Sequence, residues 1–301
     1  MGPSYRRAFF IFGYKMRIAI PNKGRLADDT RELLDDAGLT VNVRGERALS
    51  ASLGGLFEAI FVRAEDIPEF VADGAADLGV TGWDLVAESG RSVFDLLDLG
   101  FGRCRLSVAV RDDSDIRTIA DVQSGSRVAT AFPRSAARYF KDNDIIVDIV
   151  PVSGAAEIAP HLGIADIIVD LVSTGSTLRV NGLRELCTVS DSTARLIGRT
   201  GLTNGRSADP IVGDFIAALE SVVRAKGQRY LMANVPRSLL PQIRTILPGL
   251  NGPTVIDILN GGEHVAVHAV VRAADVYRTI SDLRACGATG ILVTRIERLV
   301  P

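Results

Sequence analysis

Asp170 stands three residues ahead of Ser173-Thr174-Gly175-Ser176-Thr177, a run of hydroxyls around one glycine. Where such a run turns from a strand into a helix, successive backbone N–H groups point outward. Glycine lets the backbone approach a ligand closely, and the hydroxyls add donors, so the turn forms a cradle for a phosphate dianion. A carboxylate at its rim is repelled by phosphate and needs a different partner, such as the vicinal hydroxyls of a ribose or a magnesium ion. A ribose 5-phosphate satisfies both demands. An ordinary strand-to-helix turn with a serine or threonine cap explains the same hydroxyls without a ligand. Glu157, expected on a helix GAAEIAPHLG entering the Asp170 strand, offers a second carboxylate beside the turn, although an exposed helical glutamate is the plainer reading.

Candidate cations for such a site follow the first apolar strand. Pro21-Asn22-Lys23-Gly24-Arg25 lies at a strand's carboxyl end, where open α/β sheets bind ligands. A solvated turn in which Arg25 pairs with Asp28 or Asp29 one helical turn on is the alternative. Arg103 and Arg105 flank Cys104 where the chain is expected to cross between lobes, so either could reach a cleft. The three histidines, His161, His264 and His268, have no metal-ligand or triad spacing and are expected to be surface or packing residues.

The elements that must hold these residues alternate strand-like and helix-like patterns from Met16: MRIAI, LADDTRELLDDAG, LFEAIFV, EDIPEFVADG and DLGVTG, then RLSVAV, RVATAF, PRSAARYFKDN, IIVDIV and ADIIVDLV. Near-continuous apolar strands between helices predict parallel sheets covered on both faces, in two lobes around a cleft. The first lobe is expected over 16–109 and 201–227, the second over 110–200, with a junction in the polar, glycine-rich GRTGLTNGRSADP before the helix IVGDFIAALESVVRAKG. Residues 228–301 read βαββαβ, the ferredoxin-like order, and carry no catalytic constellation. Residues 1–15 read as an extension before the fold. Their short apolar run AFFIF lacks the length and cleavage site of a signal peptide.

Composition narrows the partners. Lysine and arginine total 34 against 36 acids, a formal charge of -2, so no global field draws nucleic acid or anionic lipid and any anion site must be local. Three widely spaced cysteines suggest neither a disulfide framework nor a zinc knuckle and fit a cytoplasmic protein.

The stretch from Glu157 to Leu178, EIAPHLGIADIIVDLVSTGSTL, resembles the signature of the ATP phosphoribosyltransferase family, with the acid, glycine, small residue, aspartate and Thr-Gly-x-Thr turn in register. MRIAIPNKGRL, GFGRCRLSVAV and VNGLREL extend the resemblance from Met16 to the last strand. It implies a two-lobed, periplasmic-binding-protein-like catalytic core of the type IV phosphoribosyltransferase kind, and a C-terminal ferredoxin-like regulatory domain found only in the long form. The implied reaction joins ATP to phosphoribosyl pyrophosphate with Mg2+. Carried over, Ser173, Thr174, Gly175, Ser176 and Thr177 hold the 5-phosphate, while Asp170 and Glu157 face the ribose hydroxyls and the metal. Lys23 and Arg25 meet substrate phosphates. ATP lies at Arg25 and at Gly79, Thr81 and Gly82, with Trp83 a possible stacking partner or, more simply, core. Histidine, as feedback inhibitor, contacts Asn234, Gly252, Thr254 and Gly290, and the chain assembles into dimers and hexamers. Two rivals stand beside this: an exported solute-binding protein, disfavoured by the missing signal peptide, and a phosphoribosyltransferase for a free base, which does not require the tail.

Overall fold

The protein is described by a computed structural model covering residues 15–43, 48–202, 209–258 and 262–300. The expected extension lies almost wholly outside the described residues, as do residues 203–208 of the polar junction. The chain divides between Ile216 and Ala217 into two compact units.

The first unit runs β1 (Arg17–Pro21), α1 (Ala27–Asp36), β2 (Val41–Asn42), β3 (Ser50–Leu53), β4 (Phe57–Val62), α2 (Ile67–Ala72), β5 (Leu78–Gly82), α3 (Trp83–Ser89) and β6 (Val93–Asp98). It continues β7 (Cys104–Arg111), β8 (Ser126–Thr130), α4 (Pro133–Asp142), β9 (Val147–Pro151), β10 (Ile167–Val172), α5 (Ser176–Val180), β11 (Leu183–Ser192), β12 (Ala194–Arg199) and α6 (Pro210–Ala225), the last crossing the unit boundary. Two sheets result, ordered β2-β3-β4-β1-β5-β12-β6 and β11-β7-β10-β8-β9. Ile18, Ala19 and Ile20 have no exposed surface, which is why β1 reads as a continuous apolar run rather than an alternating one.

Neither sheet is purely parallel. β12 runs antiparallel to β5 and β6, and β7 antiparallel to β10 and β11. The chain leaves the first sheet after β6, and β12 returns to it after β11. β7 therefore belongs to the second sheet and β12 to the first, which moves the expected lobe limits at 109 and 200 to the crossings near 99–103 and 193. An apolar run carries no mark of the sheet that will take it, and the strand at 194–199 is not among those read from hydropathy. The expected helix over 154–163 is reduced to one 3-10 turn, Ala156–Ile158, because Ala155 enters it in the left-handed region (φ 50°) and Pro160 cannot extend it.

α3 serves both sheets. Val86 packs with Ala19, Ile67 and Val71 of the first, and Leu85 packs against the core around Phe132, Ala136 and Phe140 of the second. Glu88, near its end, accepts the backbone N–H groups of Arg134 (2.8 Å) and Ser135 (2.9 Å) and so caps α4.

The second unit holds β13 (Gln228–Pro236), α7 (Leu240–Ile246), β14 (Thr254–Asp257), β15 (His264–Arg272), α8 (Val276–Ala285) and β16 (Thr289–Arg295). Its sheet, ordered β14-β15-β13-β16 and wholly antiparallel, is the ferredoxin-like arrangement. Leu231, Ala233, Val235, Val265 and Val267 pack one face of it against Ile243 and Leu283 of the helices.

Candidate functional site

β10, the turn that follows it into α5, and the 3-10 turn Ala156–Ile158 that carries Glu157 build the candidate site. β10 carries Asp170, half-buried, with its Oδ1 accepting the Leu171 N–H at 2.7 Å. The chain then turns through Ser173 and Thr174 to Gly175, which takes φ +73° at the start of α5. Ser173, Thr174, Ser176 and Thr177 are exposed there. Thr174 Oγ1 and Ser176 Oγ lie 3.0 Å apart, so the hydroxyls are gathered on one edge of the turn. Asn181 closes α5 by donating to Thr177 O at 2.9 Å, and the His161 ring contacts Asn181 O at 2.7 Å, giving that histidine a packing role.

Burial pushes the Asp170 carboxyl above the usual aspartate range; the Leu171 N–H opposes this, and the charge of Glu157 adds to it. Two carboxylates therefore share a partly desolvated place beside the hydroxyl turn. Among the described residues no group of three or more His, Cys, Asp or Glu side chains forms a metal cage. The pair supplies hard oxygen donors suited to magnesium, and an ion held there would take its remaining ligands from substrate and water.

Arg105 lies on the same face of the second sheet, but it is not a loose cleft cation. Its guanidinium grips Glu185 through Nε (2.7 Å) and Nη2 (2.5 Å), and Nη1 donates to Ser173 O at 3.1 Å. Arg103 is exposed.

The first sheet brings Lys23 and Arg25 to the end of β1. Lys23 is exposed. Arg25 pairs not with Asp28 or Asp29 but with Asp84, its Nη2 3.0 Å from both carboxylate oxygens, while Nη1 donates to Gly102 O at 2.6 Å. Asp84 is buried and also accepts the Ser192 hydroxyl at 2.6 Å. Gly102 and Ser192 belong to the two crossings between the sheets, so Arg25 is held where both strands of the chain pass. Its guanidinium keeps N–H groups beyond those spent and remains 37% exposed.

Gly79, Thr81 and Gly82 are buried rather than open to a nucleotide. A Cβ on Gly79 would sit 2.5 Å from Ile67 Cγ2, so glycine is needed there for α2 to pack on β5. Thr81 spends its hydroxyl on Ala64 O at 2.7 Å. A Cβ on Gly82 would lie 2.3 Å from Asp84 Oδ1, so this glycine makes room for the Arg25–Asp84 pair. Trp83 packs against the first-sheet core beneath the Arg195 guanidinium, 5.8 Å from its ring centre. The strand-end pattern DLGVTG marks the turn from β5 into α3, and close packing at Gly79 and Gly82 gives both glycines a steric reason. Asp84, Ser192 and Glu185 were not singled out from sequence; two positions past Gly82, Asp84 resembles any first-turn acid, and its partners are distant in the chain.

In the second unit Asn234 and Gly290 are neighbours: a Cβ on Gly290 would lie 3.1 Å from Asn234 Nδ2. Thr254 faces His268 across β14 and β15, and Gly252 precedes it. The sheet thus separates the four residues into two pairs on either side of β15, about 10 Å apart by strand spacing. His268 Nδ1 meets Tyr230 Oη at 2.5 Å.

Comparison with known proteins follows the same division. A family model described as ATP phosphoribosyltransferase matches residues 63–221, and one described as HisG, C-terminal domain matches 225–298. An ATP phosphoribosyltransferase of Gemmatimonas aurantiaca is 64% identical over 293 residues, spanning 95% of this chain and all of the relative. Those of Halorubrum lacusprofundi and Methanocaldococcus jannaschii are 47% and 42% identical over 95% and 94% of the chain, covering 100% and 99% of the relatives. Among solved structures, the ATP phosphoribosyl transferase (HisG:HisZ) complex from Thermotoga maritima is similar at TM-score 0.61 and 26% identity, covering 69% of this chain and 98% of that one. No helix among the described residues is long and apolar enough to cross a membrane.

Proposed function

The chain belongs to the ATP phosphoribosyltransferase family, and from that premise we propose how its residues divide the work of the reaction. The reaction itself is a pentosyl transfer of histidine biosynthesis. The lone pair of adenine N1 of ATP forms a bond to the anomeric carbon of phosphoribosyl pyrophosphate. The bond from that carbon to pyrophosphate breaks, the electron pair leaving on pyrophosphate, and 1-(5-phospho-β-D-ribosyl)-ATP results. The family generally uses a divalent metal.

The observation that carries the assignment of parts is the placement of Asp170 and Glu157 beside the exposed Ser173–Thr177 turn at the carboxyl end of β10. The turn receives the 5-phosphate on its N–H and hydroxyl groups, and the two carboxylates face the ribose hydroxyls. The metal is Mg2+, whose preference for oxygen ligands and bound water matches two carboxylates that form no complete cage. When bound, it neutralises charge on the departing pyrophosphate. Lys23 is the exposed phosphate-facing cation. Arg25 is the fixed one, held by Asp84 so that its remaining donors need no reorganisation when charge develops. ATP approaches from the end of β1, with Gly79, Thr81 and Gly82 shaping the scaffold behind it.

The C-terminal unit is the seat of histidine inhibition, through Asn234 with Gly290 and through Thr254 with Gly252, and of assembly into homo-oligomers, dimer and hexamer. A cytoplasmic place fits the free thiols of Cys104, Cys187 and Cys286 and the two substrates. Absorbance of the product, followed with ATP, phosphoribosyl pyrophosphate and magnesium, with and without histidine, tests the scheme. Turnover that survives Asp170→Ala together with Thr177→Ala would place the ribose phosphate elsewhere.

A further inference from the structure

The phosphate turn is anchored from behind by a hydrogen-bonded chain that the reaction does not itself require. It begins in β11, whose pairing with β7 slips at two points, between Glu185 and Cys187 and between Thr188 and Ser190. Ahead of both slips the pairing is regular and sets Leu183 opposite Arg111 and Glu185 opposite Ala109. Glu185 therefore shares the face of Ala109, Ser107 and Arg105, and its carboxylate reaches the latter two diagonally across the ladder. Ser107 is buried and donates its hydroxyl to Glu185 Oε1 at 2.8 Å. Arg105, two residues back on the same face, closes a two-pronged grip on the same carboxylate. Its remaining prong reaches Ser173 O at the first residue of the turn.

Ser107 stands directly opposite Asp170 in the β7–β10 ladder, and Arg105 opposite Val172. Residues opposed in an antiparallel pair share a face. The network therefore lies on the face that presents Asp170, on the side of β7 away from β10's parallel neighbour β8. Holding the Ser173 carbonyl turns that end of the peptide toward Arg105 and frees the following N–H groups to point the other way. A planar, forked guanidinium can grip a carboxylate with two nitrogens while donating from a third; an ammonium cannot match that fork.

We propose that Arg105, oriented by Glu185, is a positioning residue for the phosphoribosyl pyrophosphate turn: it sets the direction of the Ser173 peptide and does not itself meet substrate. The inference rests on the Ser173–Thr177 turn being the 5-phosphate site. Arg105 strengthens the ionised state of its partner, holding the Glu185 carboxyl below the usual glutamate range.

Steady-state kinetics on the full chain, varying each substrate in turn, test it with four variants. Glu185→Gln keeps the shape of the partner and removes its charge; Arg105→Lys keeps the cation and loses the fork. The expected result is that both raise KM for phosphoribosyl pyrophosphate about tenfold, with KM for ATP within about twofold of the parent and Tm little changed. An Arg105 that contacted substrate phosphate directly would give the opposite pattern, with Arg105→Lys near the parent and Glu185→Gln binding as well or better; that pattern overturns the proposal. So does an equal rise in both KM values, the mark of a general loss of structure. Should either of these variants fail to fold, Ser107→Ala removes one hydrogen bond from Glu185, and a rise of about threefold in the same KM is expected, no rise counting against the proposal. Thr177→Ala separates the premise from the inference. If it leaves KM for phosphoribosyl pyrophosphate unchanged, the turn is not the phosphate site and the premise fails; if it raises KM while Glu185→Gln does not, only the positioning role fails.

Discussion

Asp170 and Glu157 lie close enough that the glutamate's charge, added to burial, holds the aspartate carboxyl above its ordinary range. A carboxylate kept ionised against that pressure costs the empty protein stability. Below both the unfolded and folded values Asp170 is protonated in either state and contributes nothing. As pH rises through the unfolded value the unfolded chain ionises first, and above the folded value the penalty is complete. Asp170→Asn is therefore expected to raise Tm at pH 7, the gain setting in as pH rises through the ordinary aspartate range and levelling once pH exceeds the raised folded-state value. Turnover should fall about a hundredfold or more, the scale of losing one preorganised electrostatic group. Thermal unfolding across pH, beside the assay, checks both; a variant less stable at pH 7 would mean the carboxylate has a stabilising partner.

Arg25 and Asp84 make a second, opposite case. Asp84 has a fully buried side chain, and Arg25 is its bonded guanidinium. Arg25→Ala leaves that charge uncompensated, a loss of 3–5 kcal/mol for a fully buried pair and about 1–3 kcal/mol here because the arginine is partly exposed. Arg25→Ala with Asp84→Asn should recover most of the stability and none of the activity. Denaturant unfolding of the single and double variants measures the first part. Recovered turnover in the double variant would remove Arg25 from the phosphate-facing role.

Gly79 is expected to matter for packing alone. Gly79→Ala forces a methyl against Ile67 and Val71, and overpacking of this kind costs about 1–3 kcal/mol. KM for ATP should stay within about twofold. A selective rise in that KM without loss of Tm would restore Gly79 as a nucleotide contact.

These cases show where the sequence was readable. The Asp170–Thr177 turn was legible because its residues are contiguous and their spacing alone places a carboxylate beside a hydroxyl cradle. The βαββαβ order of the tail was legible because each element has its own period, as in Gln228–Pro236, where every second residue from Leu231 to Val235 is buried. Arg25 was found as a cation, but its partner was not, since Asp84 lies 59 residues away and Ser192 a further 108. β7 was found as the strand RLSVAV but fell inside the expected first-lobe limit at 109, and β12 was not singled out as a strand, because strand exchange between lobes is a long-range choice that local hydropathy does not encode. The partnership of Glu185 with Arg105 leaves no local signature, since the two lie 80 residues apart.

The proposed inhibition by histidine gives the last test. Asn234 and Gly290 touch, whereas Gly252 and Thr254 lie beyond β15, too far for one small ligand to fill both pairs evenly within a chain. The half-buried Asn234 amide offers both donor and acceptor, which suits an amino acid's carboxylate or imidazole better than the exposed Thr254 hydroxyl does. Gly290 holds φ +59°, and a methyl there would press on the Asn234 amide. Gly290→Ala is accordingly expected to raise the histidine concentration for half inhibition about tenfold, a coupling change of about 1.4 kcal/mol. Thr254→Ala should change it less than about threefold, and both should leave uninhibited turnover at the parent level, since neither residue belongs to the catalytic unit. Inhibition curves at fixed substrate decide it: a larger effect from Thr254→Ala would move the inhibitor to the β14 side of the sheet, and no effect from either would take it off this face altogether.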